Sequence, residues 1–184
     1  MQKQLEVLNR LLQTANPKFY SELTPPLNET EIQVLEAKFN VTLPADLKLL
    51  YKWKNGQNQN CYKSFVNNSM FLPLEDSLAA AQELTGMIGL DFEIENWWNQ
   101  RWLPIFDNGG GDLICYDLEG IFTGEKGQLI EFWHADNDRN VIAPTLESFI
   151  EAINHALETA NPQDFGNDFE VDDINILPRE FIVK

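Results

Sequence analysis

Apolar residues recur at helical spacing through the first third of the chain and at strand spacing from Arg101 onward. Leu5, Leu8, Leu12 and Ala15 share one stripe of a helix predicted over residues 4–15, and Asn16–Pro17 ends it. The next helix is better specified. Asn28 can cap it, Glu31 stands at the third helical position to close a capping box, and Leu27 can staple onto Ile32. Ile32, Leu35 and Phe39 then face inward together. Leu43–Pro44 opens a third helix with proline at its first position. Leu47, Leu50, Tyr51 and Lys54 lie on one side of it, the lysine tolerable if its stem follows apolar surface and its ammonium reaches water. Asn55–Gly56 stops this helix.

A polar loop, "QNQNCYKSFVNNS", follows. "MFLPL" reads either as a short strand or as the extended entry to a helix over residues 76–85, whose small apolar face is Leu78, Ala81 and Leu84. Gly86 and Gly89 loosen the chain before "DFEIENWW". The period then changes. "RWLPIF", "DLICYDL" and "QLIEFWH" are strand candidates rich in branched and aromatic residues, separated by glycine turns. Their connections are too short for crossover helices, so they form an antiparallel meander. Thr145 caps a last helix running to about Thr159, with Leu146, Phe149, Ile150, Ile153 and Leu157 inside, and Asn161–Pro162 terminates it. The tail, "QDFGNDFEVDDINILPREFIVK", is acidic with scattered Phe and Ile, enough to pack back and add an edge strand. Helices first, sheet in the middle and helix last predict one α+β domain over residues 1–184. Its antiparallel central sheet should carry helices packed on one side.

Charge changes the picture more than composition does. The chain of 184 residues carries a formal net charge of −16. Residues 1–64 hold eight basic and six acidic residues, whereas residues 65–184 hold five and 23. Such a field repels nucleic acid and anionic membrane and speeds encounter with a basic partner, although it also serves plain solubility. No run of about 18 apolar residues exists to span a bilayer, and the amino terminus lacks the apolar centre of a secretory signal. A cytoplasmic location is therefore expected. Cys61 and Cys115 fit a reducing compartment, and Cys115, inside an apolar strand, reads as a small buried hydrophobe.

The stretch "DNGGGD", Asp107 to Asp112, is the one segment that invites chemistry. As a phosphate loop it lacks Lys, Ser and Thr, and a strand follows it rather than a helix amino terminus. As a calcium loop it puts glycines where side-chain oxygens belong. As a turn it needs nothing more: Asp107 and Asn108 can bond their own backbone, and Asp112 can cap the other side. The turn reading is preferred. His134, Asp136 and Asp138 superficially resemble a metal cluster, but no second His or Cys stands at ligand spacing. His155 lies off the apolar stripe of the last helix. No nucleophile elbow occurs, and acidic pairs such as Glu93/Glu95 arise by chance among 29 carboxylates. No catalytic residue, metal or cofactor is therefore assigned, and a metal-dependent hydrolase is the least favoured reading.

"LTPPLNETEIQVLEAKFNVTLPADLKLLYKWKNGQ" resembles the opening of the SUKH superfamily, its pattern falling on Glu31, Glu36, Leu43, Pro44, Leu50 and Gly56. "FLPLEDSL" looks like the strand-then-helix step of that family. Trp102, Pro104, Gly111, Asp112 and Asp117 are similar to its tryptophan, proline, glycine–aspartate and strand-aspartate signature. Gly127, Gln128, Ile130, His134, Pro144 and Phe149 match its last strands and closing helix. The resemblance spans roughly residues 22–158. It leaves the first helix and the acidic extension 162–184 outside, and Leu118–Glu119 departs from the usual acidic residue and proline.

The superfamily contains the fungal regulator of cell-wall glucan synthesis and many bacterial proteins thought to be immunity factors against toxins. The resemblance implies a non-catalytic intracellular protein-binding module, neutralising a cognate toxin, a basic nuclease among the candidates, by direct contact. The alternative is a regulatory or scaffold module with a cellular protein partner, for which the acidic tail would be the contact. Exposed carboxylates should steer and aromatics anchor. The residues chosen are Glu93, Glu95, Trp97 and Trp98 before the sheet, with Asp136 and Asp138 near its far edge, although one or both tryptophans can belong to the core.

Overall fold

Helices form where the apolar stripes and caps place them. The computed structural model describes residues 1–159 and 179–183. Helix α1 (Gln2–Ala15) buries Leu5, Leu8 and Leu12 and packs along α6 (Leu146–Thr159). The Asn154 side-chain amide donates to the Gln4 carbonyl at 3.0 Å and ties the two together. Asn16–Pro17 ends α1 as expected but also starts another helix, α2 (Pro17–Glu22). There the Asn16 side chain accepts the Phe19 N–H at 2.9 Å, and proline occupies the first position, where its missing N–H costs nothing. Helix α3 (Glu29–Phe39) has both arms of the capping box, Glu31 N–H to Asn28 at 3.0 Å and Asn28 N–H to Glu31 at 2.7 Å. Helix α4 (Ala45–Trp53) starts one residue later than expected, with Pro44 as its cap. Lys54 lies just beyond α4, its ammonium 4.4 Å from the centre of the Tyr20 ring.

"MFLPL" is both of the things it could have been: strand β1 (Met70–Phe71), then α5 (Leu74–Gly86). The three strands read from periodicity are β2 (Trp102–Asp107), β3 (Leu113–Asp117) and β4 (Leu129–Phe132). Strand β5 (Asp138–Ala143) lies in the stretch that only the resemblance marked. The tail adds β6 (Arg179–Ile182) as an edge strand, giving the antiparallel order β1-β2-β3-β4-β5-β6. The Asn161–Pro162 stop lies outside the described residues. Thr145 does cap α6, its hydroxyl accepting the Ser148 N–H at 3.1 Å.

Every residue of β3 is buried, because both faces of the sheet are covered. Cross-strand partners share a face, so Phe106, Ile114, Tyr116 and Leu129 lie on one side. That side meets the helices: the Phe106 ring centre is 6.0 Å from that of Phe149, and the Tyr116 hydroxyl bonds Asp46 of α4 at 3.1 Å. Trp102, Cys115, Asp117, Phe132 and Arg139 occupy the other side. Irregular chain covers them rather than helix. The Trp98 ring stands edge-on to Trp102 at 5.6 Å and to Phe132 at 5.2 Å, and Phe122 is stacked on Phe181 of β6 at 4.9 Å. Cys115 is fully buried, as expected of a small core hydrophobe, and burial pushes its thiol pKa well up.

The turn after β3 is too tight for a side chain at Gly120. Its φ is +73°, and an added Cβ would lie 2.5 Å from the Glu125 nitrogen. Gly120→Ala should therefore lower unfolding free energy by about 2 kcal/mol or more. Gly86→Ala, at a helical position with open space around it, should be neutral or stabilising by about 1 kcal/mol. Urea unfolding of the two variants checks the contrast.

Candidate protein-binding surface

The triglycine segment is a turn. Asp107 accepts the Gly109 N–H and Asn108 the Gly110 N–H, each at 2.7 Å, while the Asn108 amide donates to Asp112 at 2.8 Å. Asp112 does more than cap it. Its Oδ1 accepts the backbone N–H of His134 at 3.0 Å and lies 2.8 Å from that residue's Nδ1, so it joins the turn to the end of β4. Burial alone would raise the Asp112 pKa, but the bonds from His134 and Asn108 outweigh it and hold the carboxyl below its ordinary value.

Asp117 builds the next turn. Its buried carboxylate accepts the backbone N–H groups of Glu119, Gly120 and Ile121 at 2.6–3.1 Å and the Gln128 amide at 2.8 Å. Here burial wins over those bonds, and the pKa is raised. Glu36 acts similarly at the entry to α4. It accepts the Leu43 N–H at 2.7 Å and pairs with Lys48 at 2.9 Å, and these offset burial to leave its pKa lowered. The acidic residues of the superfamily pattern thus organise backbone.

The residue that organises the chosen surface was missed: Arg139 of β5, fully buried. Its Nε and Nη2 donate to the Trp97 carbonyl at 3.1 and 2.6 Å. Its Nη1 donates to the carbonyls of Trp133 at 3.3 Å, Asp136 at 2.7 Å and Asp138 at 2.5 Å. The guanidinium also lies over the Trp97 and Phe132 rings, at 5.0 and 4.8 Å. Burial lowers its pKa to about 10, against a pull upward from Cys115, Asp136 and Asp138. A sequence signal was available: Arg139 is the only Lys or Arg between Lys126 and Arg179, within a strongly acidic half.

Arg139 brings together the two groups of residues chosen from sequence. Trp97 on one side and Asp136 and Asp138 on the other share its guanidinium through their carbonyls. Of the adjacent tryptophans, Trp98 is core, its indole N–H donating to Thr85 at 3.1 Å, whereas Trp97 is half-buried. Glu93, Glu95 and Asp136 are exposed and Asp138 is half-buried. His134 turns to Asp112 while Asp136 accepts the Asp138 N–H at 3.2 Å, so these three do not converge as ligands. Among the described residues, no group of three or more His, Cys, Asp or Glu is placed to hold a metal ion. Sequence reasoning did not select the exposed apolar side chains of the same loop, Ile88, Leu90 and Ile94.

An antiparallel sheet with helices on one face and a clamped loop on the other defines an α+β domain whose open surface is loop-built. The family model described as SMI1 / KNR4 family (SUKH-1) matches residues 26–152, and the chain belongs to that family. No curated protein matches the chain. Among the described residues, no helix is long and apolar enough to cross a membrane.

Half-buried Asp112 and buried Asp117 should respond to acid with opposite sign. Asp112 has a lowered folded pKa. Its contribution is present above the ordinary value of 3.8 and is lost as pH falls through the folded value. Asp117 has a raised folded pKa, so native stability declines as pH rises from 3.8 through that value. The deficit of Asp112→Asn should hence shrink on acidification and that of Asp117→Asn should grow, as read by denaturant unfolding at pH 7 and near pH 3.

Arg139→Ala strands several buried carbonyls and should lower stability by about 3 kcal/mol or more. Lysine, with no planar fork, should restore only part of it. Hydrogen exchange should show the loss of protection concentrated at residues 87–101 and 133–138.

Proposed function

We propose that this chain is a stoichiometric protein-binding module of the immunity type, which blocks a cognate toxin domain inside the cell by covering its working surface. The supporting observation is the use made of three charged signature residues and of the buried Arg139. Asp112, Asp117, Glu36 and Arg139 are engaged with backbone groups and build turns, not a reaction centre. What faces water is an acidic surface set on rigid loops. Its field disfavours nucleic acid and anionic lipid and favours a basic protein. A nuclease toxin has such a surface, because it must hold phosphates. Family membership adds to this reading at the level of a binding role.

The test is titration calorimetry of the purified chain against the C-terminal domain of the protein encoded immediately upstream. A one-to-one complex that weakens with added salt is expected, together with loss of the toxin domain's activity at equivalence. Absence of binding at micromolar concentrations would rule the assignment out.

A further inference from the structure

Seven large apolar side chains are exposed among the described residues, and three of them, Ile88, Leu90 and Ile94, fall within seven positions of one loop. Single exposed hydrophobes are ordinary, whereas a cluster calls for an explanation. Leu90 is 72 % exposed, Ile88 45 % and Ile94 39 %. Ile88 and Ile94 line an open cleft of about 550 Å³ with Thr85, Phe92 and Trp98. Asp91, Glu93 and Glu95 are interleaved with them. Residues 64–100 hold six acidic residues and no Lys, Arg or His. Among the described residues none of these three loop carboxylates forms an ion pair.

The loop is built before any partner arrives. The N–H groups of Leu90, Asp91 and Phe92 all donate to the Met87 carbonyl at 3.0–3.1 Å, and the Gly89 N–H donates to the Phe92 carbonyl at 2.9 Å. Phe92 then pins this knuckle to the sheet through Phe132, with ring centres 6.3 Å apart. Arg139 holds the far end at the Trp97 carbonyl. An ordered loop pays little conformational entropy on association.

We infer that residues 88–95 are the docking element, with Leu90 as its anchor, and that the occupant is a protein presenting an aliphatic pocket within a basic rim. The inference rests on the proposed role in protein contact and names the surface and the partner chemistry that go with it. Apolar centre and charged surround match the anatomy of binding hot spots. A second copy of the chain fits poorly, because a two-fold contact would set Asp91, Glu93 and Glu95 against their own equivalents. An anionic lipid surface or nucleic acid meets the same repulsion.

The probe is again the C-terminal domain of the upstream gene's product, measured by surface plasmon resonance at several salt concentrations. Leu90→Asp should weaken binding at least about 30-fold, chiefly through faster dissociation, and the milder Leu90→Gln should do so in the same direction. Asp91→Lys combined with Glu93→Lys and Glu95→Lys should slow association at least about tenfold and flatten its salt dependence. Val34→Asp, at an exposed apolar site on α3, should stay within about twofold of the parent. Parent-level binding by all the loop variants would overturn this inference while leaving the proposed function standing. No binding by the parent chain would remove both. A dimer of the parent chain that Leu90→Asp dissolves in sedimentation would also overturn it, by naming a second copy as the occupant.

Discussion

The Arg139 guanidinium is the interaction on which the loop-covered side of the sheet depends. Burying an unpaired cation is costly, and a carboxylate would be the usual remedy. Here the remedy is a set of backbone carbonyls, those of Trp97, Trp133, Asp136 and Asp138, with two aromatic faces above the plane. A lysine ammonium offers three donors from one point and could not span them; the planar fork does. The carbonyls come from two segments far apart in sequence, so one side chain sets the distance between the loop before β2 and the turn after β4. Strand β6 supports that turn from behind, where the Val183 N–H donates to the Asn137 carbonyl at 3.0 Å and the Asn137 amide returns a bond to Val183 at 3.2 Å. The tail is thereby tied to the same clamp.

The carboxylates of buried Asp117 and half-buried Glu36 follow the same logic with the sign reversed. At Asp117 and Glu36 the chain turns sharply and leaves N–H groups inside the fold without a helical or sheet partner. The Asp117 carboxylate accepts three of them at once, and that of Glu36 accepts one while pairing with Lys48. Glycine is needed where the turn also passes close to other chain. Gly127 is an example, since an added Cβ would come 2.8 Å from the Tyr116 hydroxyl. The acid–glycine pairings of the superfamily pattern are thus legible as solutions to backbone bonding in tight connections. The opposite pKa shifts of Asp112 and Asp117 mark the balance in each case between bonds gained and water lost.

Features fixed by neighbours in sequence were legible, and features fixed across space were not. The α3 capping box and the three apolar strands needed only local spacing. Asn16–Pro17 reads as a stop through its effect on the preceding helix, and the same pair, by an equally local mechanism, caps and starts α2. Strand β5 escaped periodicity for a different reason: Asp138, Arg139 and Asn140 look like a solvated turn unless the arginine is known to be buried. "NWWN" could not say which tryptophan is core, since the answer lies in Trp102 and Phe132, supplied by β2 and β4. Three apolar side chains, Ile88, Leu90 and Ile94, stand exposed in the loop that holds Glu93 and Glu95. A hydrophobe in a loop carries no signal until the fold shows that nothing covers it.

The clamp has a property that bears on how such a domain can work. Arg139 grips carbonyl oxygens, and the knuckle at Met87 is closed by N–H groups, so the scaffold of the loop is held almost entirely through backbone. Phe92 and Trp98 commit side chains to the sheet, and the Trp97 ring lies against the Arg139 guanidinium. The remaining positions, Ile88, Leu90, Asp91, Glu93, Ile94 and Glu95, can change identity at little cost to folding, because exposed substitutions away from caps and tight turns usually shift stability by no more than about 0.5 kcal/mol. Fold and surface chemistry are therefore separable in this loop. The sheet and its buried charges fix where the backbone runs, and the outward side chains take no part in fixing it.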